Sequence, residues 1–253
     1  MDANKWWESY GLRYAVGSVT GAVFFYCLCQ VSGPILGPLL FSIGKSRIDT
    51  AGLLLLGVFG LAYCYIASAP ILVMHAGRVF IEYKATKKSL IRAIALVAIA
   101  ALTSSIFIYS LVPPGTEARH ILWPISFLFV YFWSSSILVI VLTIYKNDEV
   151  ISFYRRVSAM RLQEGSDLVD SYKHLREHGN AFFIIWVEII FGLCIYSILS
   201  LPEMTNGLVG DSQVRLALVM FIFIWIAPSA LIWFVGSYIE RQLATAASSK
   251  QTP

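Results

Sequence analysis

Charge is what this chain has least of. Lys, Arg, Asp and Glu make up 13% of its 253 residues, about half the share of a soluble domain. Hydrophobic residues make up 58% and the mean hydropathy is +0.72, which excludes a soluble globular class. The net charge of +4 gives no ground for a nucleic-acid partner. Histidine and cysteine are equally sparse, at four each. Cys27, Cys29, Cys64 and Cys194 all stand in apolar runs, which argues against a disulfide framework or zinc ribbon and for small apolar packing residues. No nucleotide-binding glycine loop or high-specificity catalytic signature occurs, nor any Asn-x-Ser/Thr sequon. The latter agrees with a bacterial source.

Long apolar runs are abundant instead. A helix crossing about 30 Å of hydrocarbon needs about 20 apolar residues, and six runs qualify: 15–33, 51–74, 93–112, 121–145, 181–201 and 216–238. The first is ambiguous, because the apolar stretch continues through Pro34 and Pro38 to Ile43. The first residues, Met1 to Glu8, have neither the basic start nor the short apolar core of a cleavable signal, so span 1 is expected to remain. Fifteen of the 19 basic residues fall in the N-terminus, the 75–92 and 146–180 loops and the C-terminus; Lys45, Arg47, Arg119 and Arg215 lie on the other side. The positive-inside rule then puts both termini in the cytoplasm. The fold expected is an all-α, polytopic bundle of six transmembrane spans in one integral membrane domain, in a bacterial cytoplasmic (inner) membrane.

Between spans 4 and 5, Val150, Phe153, Tyr154, Val157 and Met160 recur at helical spacing, Gly165 can end that helix, and Ser166 with Asp167 can start another. A cytoplasmic helical hairpin over 146–180 is expected, projecting as a stalk. Its cations Arg155, Arg156, Arg161, Lys173 and Arg176 form either a solvated face or a contact surface for anionic lipid or a soluble protein partner.

Inside the spans, Glu188 is the one ionisable residue at depth, eight residues beyond Asn180 and thus about 12 Å inward. A charge there costs at least ~2.5 kcal/mol, so the carboxyl must be protonated, paired or facing water. Hydroxyls at Thr103, Ser104 and Ser105 in span 3 and Ser134, Ser135 and Ser136 in span 4 are candidate partners, packing contacts or the lining of a polar path. Pro70 and Pro228 each remove a helical hydrogen bond, from the carbonyls of Ile66 and Ile224, and are candidate hinges. Gly17-Ser-Val-Thr-Gly21 is a GxxxG face suited to close helix contact.

His174-Leu-Arg-Glu177-His178 resembles the H-x-x-E-H pattern of an inverzincin zinc hydrolase. Two histidines four apart share a helical face, Glu177 would be the catalytic base, and Asp170 extends the face as a further ligand. The resemblance covers five residues, and no downstream acid stands in a matching third-ligand motif. The reading taken is therefore a protein without cofactor and not an enzyme, with zinc hydrolysis as an alternative. The leading function is a homo-oligomeric channel-like pore or membrane sensor, with Glu188 on its functional surface and the hairpin coupling it to a cytoplasmic partner. A scaffold that recruits a soluble effector through 146–180 is the other alternative.

Overall fold

Hydrocarbon offers a peptide group no hydrogen-bond partner, so a chain of this composition must satisfy its backbone internally. The computed structural model is helical over 92% of its described residues, with no strand among them. It describes the backbone of residues 3–33, 35–41, 48–82, 87–111, 118–163, 166–204, 207 and 209–248, and the side chains of 14–33, 35–41, 48–77, 79–80, 94–106, 110, 123–156, 182–204, 207 and 209–242. The order is α1 (Ala3–Val31), a 3₁₀ turn (Gly37–Leu39), α2 (Thr50–Ser68), α3 (Pro70–Glu82), α4 (Lys87–Leu111), α5 (Ala118–Tyr145), α6 (Asn147–Gln163), α7 (Ser166–Leu199), α8 (Leu201–Met204) and α9 (Asp211–Ser248).

Among the described residues five stretches are long and apolar enough to cross a membrane: Tyr14–Val31, Thr50–Gly77, Trp123–Tyr145, Phe182–Leu199 and Asp211–Gln242. Within α4 the apolar stretch Ile94–Ile106 is shorter. Their outer faces carry exposed Leu54, Val58, Leu96, Ile99, Val219, Phe223, Trp233 and Phe234, an apolar surface that water would not tolerate and lipid solvates. The protein is thus a multi-pass, helical integral membrane protein.

The bundle is organised around α7, whose segment Phe182–Leu199 is 50% buried against 17–33% for the other spans. Helices α1, α2, α5 and α9 pack on it, while α4 lies outside against α5. The centre is aromatic. Phe191 lies 5.2 Å from both Tyr63 and Trp225 and 5.5 Å from Phe221, and Phe132 stacks on Trp225 at 5.9 Å. These rings tie α2, α5, α7 and α9 together.

Two sequence ambiguities resolve locally. Helix α1 ends at Val31, ahead of Pro34, and Ser32 closes it by donating its N–H and Oγ to the Leu28 carbonyl at 2.9 and 2.7 Å. Span 2 is not one helix but two, broken at Ala69 immediately before Pro70. Asp49 starts α2 by accepting the Gly52 N–H at 2.8 Å, a side-chain N-cap.

Within 146–180 the chain forms α6 and the first part of α7, and the start of α6 is packed on the bundle. Val150 and Phe153 are buried against Val79, Phe80 and Ile239, and Asn147 Nδ2 donates to Gln242 Oε1 at 3.1 Å. Of the apolar stripe read from the sequence, Val150 and Phe153 face α3 and α9, Tyr154 is exposed, and the side chains of Val157 and Met160 lie outside the described residues. The expected second arm is not a separate helix, because α7 runs unbroken from Ser166 through the span.

Candidate functional site

Seven polar or charged side chains are buried among the described residues, and six of them are hydroxyls that donate to carbonyls. Ser32, Ser105, Ser136, Thr143 and Ser197 turn back on their own helices, and Ser229 Oγ reaches Ala69 O across a helix interface at 2.6 Å. Glu188 is the exception. It is 0% exposed, and neither carboxyl oxygen has a hydrogen-bond partner among the described residues. An unsatisfied carboxyl in such a setting calls for an explanation beyond packing.

Its surroundings are built by α1, α2 and α7. A Cβ placed on Gly17 of α1 would stand 3.1 Å from Glu188 Oε1 and 2.5 Å from Cys64 Sγ of α2, so the glycine is what lets three helices converge on the carboxyl. The Cys64 thiol is the polar group that stands beside the carboxyl. Tyr63 is the nearest hydroxyl neighbour on α2, yet its O–H is committed to the Glu188 backbone carbonyl at 2.8 Å. One turn further along α7, a Cβ on Gly192 would meet Tyr63 Oη at 2.6 Å and Phe24 Cδ1 at 3.1 Å. Glycines on α1 and α7 thus bring the tyrosine against the backbone while the carboxyl beside it is left without a donor.

The GxxxG face makes the close helix contact expected of it, with α2 as its partner. A Cβ on Gly21 would approach Gly60 O to 2.5 Å, and one on Gly60 would approach Ser18 O and Ala22 Cβ to 2.6 Å. Gly17, Gly21 and Gly60 therefore close α1 on α2 within one chain. Glu188 likewise lies inside a single chain's bundle and not on an outer functional surface.

The hydroxyl clusters do not partner Glu188. Ser105 Oγ donates to Leu102 O at 2.9 Å and Thr103 Oγ1 to Ile99 O and Ala100 O, both at 3.0 Å, on α4. Ser136 Oγ donates to Phe132 O at 2.8 Å on α5. Ser104, Ser134 and Ser135 are half-buried on the same helices. Midspan hydroxyls find acceptors one turn back on their own helix, which is why proximity of the two spans alone does not join them.

The prolines behave differently from each other. At Pro70 the freed Ile66 carbonyl accepts Trp225 Nε1–H at 3.1 Å and the Ala69 N–H at 3.2 Å; Trp225 also reaches Ala67 O at 3.2 Å. With Ser229 on Ala69 O, α9 supplies the donors that the break in α2–α3 requires. Those donors flank Pro228, which sits inside a continuous α9. Pro70 therefore marks a stapled break, and Pro228 leaves its helix unbroken. Sequence reasoning identified the need for donors but not Trp225 or Ser229; the similar strings Ile66–Pro70 and Ile226–Ala230 were the available signal, and they lie on helices stapled together here.

Arg155 and Arg156 are exposed on α6. The side chains of Arg161, Asp170, Lys173, His174, Arg176, Glu177 and His178 lie outside the described residues, so the zinc-like pattern is placed only as backbone, on α7. Among the described residues no three His, Cys, Asp or Glu side chains gather into a metal-binding group. Compared with known proteins, the chain matches no family model, and no curated protein and no solved structure shows significant similarity to it.

Proposed function

We propose that the protein is a membrane sensor in which the charge state of Glu188 sets the packing of α7 and so the position of the cytoplasmic hairpin. The observation that carries this reading is the buried carboxyl without a donor at the α1–α2–α7 junction. The same helix holds Glu188 and one arm of the hairpin over 34 unbroken residues, about 51 Å, so a displacement at the junction is delivered to the hairpin without a flexible link. In this reading α4 is the sixth span, both ends and the hairpin lie in the cytoplasm, and the membrane is a bacterial inner membrane. Exposed Arg155 and Arg156 present the contact surface for a soluble partner.

With its proton the carboxyl is neutral and tolerated. Ionised, it places a charge that costs about 2.5–3.5 kcal/mol at a span centre beside Tyr63 and Cys64, and the junction relieves that cost by opening toward water. A pore on an axis between copies is the weaker reading, because the carboxyl would not line it.

The test places bio-orthogonal spin labels at residues 172 and 238 and follows their separation across pH in lipid nanodiscs. The expected result is a distance change in the wild type that Glu188→Gln abolishes. Equal changes in both proteins, or none in either, would refute the sensor.

A further inference from the structure

A cleft of about 390 Å³ lies well away from Glu188, between α3, α5, α6 and α9. Its size is that of a small-molecule site, and its walls are mostly apolar. Two of its lining residues, Leu72 and Trp233, are themselves 41% and 60% exposed, so the cleft is continuous with the lipid-facing surface of the bundle. Its polar lining groups are His75 on α3, Thr143 on α5, Tyr154 on α6, and Ser237 and Glu240 on α9, and Thr143 Oγ1 donates to Val139 O at 2.7 Å. Ser237 Oγ is already donating to Trp233 O at 2.9 Å. Glu240 therefore brings the one carboxylate among the lining residues.

We infer that this cleft binds a phospholipid with a primary-amine headgroup, one acyl chain lying along the apolar wall and the ammonium on Glu240. The bilayer is the source of the ligand because the wall opens onto it. The headgroup follows from charge: a carboxylate repels an anionic headgroup, and an ammonium donates hydrogen bonds that a quaternary amine lacks. Gly236 of α9 lines the same cleft, and a Cβ added there meets no atom within 4 Å. This position can be filled without disturbing the chain's own packing.

The experiment is native mass spectrometry of the full-length protein with phosphatidylethanolamine, phosphatidylcholine and phosphatidylglycerol of identical acyl chains. Phosphatidylethanolamine should be retained preferentially. Gly236→Leu should lose one bound lipid per chain whatever the headgroup. Glu240→Gln should keep that lipid but remove the preference for ethanolamine over choline. Leu72→Trp provides a second obstruction from α3, and unchanged helical circular dichroism checks that each variant is folded. Unaltered retention in both filled variants would remove the site, and preference for phosphatidylglycerol in the wild type would overturn the headgroup assignment.

Discussion

Replacing Trp225 with Phe isolates the staple between α9 and the break at Pro70. The ring's place in the aromatic centre is kept in part, but the Nε1–H that serves Ile66 O at 3.1 Å and Ala67 O at 3.2 Å is lost. Hydrogen bonds between membrane helices average about 0.6 kcal/mol and reach about 1.7 kcal/mol. A carbonyl stranded in a buried setting costs about 1–3 kcal/mol. Ile66 O retains the Ala69 N–H at 3.2 Å, so the upper end of that range is not reached, and a loss of about 1–2 kcal/mol is expected, plus a packing contribution from the smaller ring. Ser229→Ala removes a single 2.6 Å bond to Ala69 O and should cost about 0.6–1.7 kcal/mol. Because both donors serve the same break, the double variant should depart from additivity by more than about 0.5 kcal/mol. Reversible unfolding in bicelles measures all three. A Trp225→Phe protein as stable as wild type, or strict additivity in the double variant, would refute the stapled-break account.

The helix junctions give further outcomes. Gly21→Ala meets a backbone carbonyl at 2.5 Å, whereas Gly17→Ala meets first a thiol side chain at the same distance; both should destabilise by about 1–3 kcal/mol, Gly21→Ala more strongly, as read by thermal unfolding. Asp49→Ala removes the N-cap of α2 and should cost about 1 kcal/mol in the same assay. Glu188→Met, which fills the junction without an unsatisfied group, should raise stability while eliminating the hairpin response, the trade-off expected of a strained functional position. Asn147→Ala severs the contact with Gln242 and should raise hydrogen exchange at the start of α6 with little change in the core.

The sequence made five of the six expected spans legible because lipid imposes a length and a polarity on each segment, and Glu188 stood out for the same reason. The third shows only a shorter apolar stretch among the described residues, Ile94–Ile106. Partners were not legible. Apolar periodicity is weak evidence of which face is inside when both lipid and core are apolar, so nothing in the run 181–201 announced that Phe191 meets Trp225. The GxxxG face was visible as a close-packing surface, but its motif does not distinguish a second chain from α2; that choice depends on Gly60 standing opposite Gly21. Val150 and Phe153 of the α6 stripe are buried as their spacing suggested, yet their destination on Val79 and Ile239 depends on the long C-terminal extension of α9, which composition alone does not orient.

The central claim is most directly tested by infrared spectroscopy of the protein in nanodiscs, comparing wild type with Glu188→Gln. A protonated carboxyl without a hydrogen bond absorbs at higher frequency than a hydrogen-bonded acid and well apart from a carboxylate. The account expects a high-frequency acid carbonyl band in the wild type that Glu188→Gln deletes. A band shifted down by hydrogen bonding would contradict it.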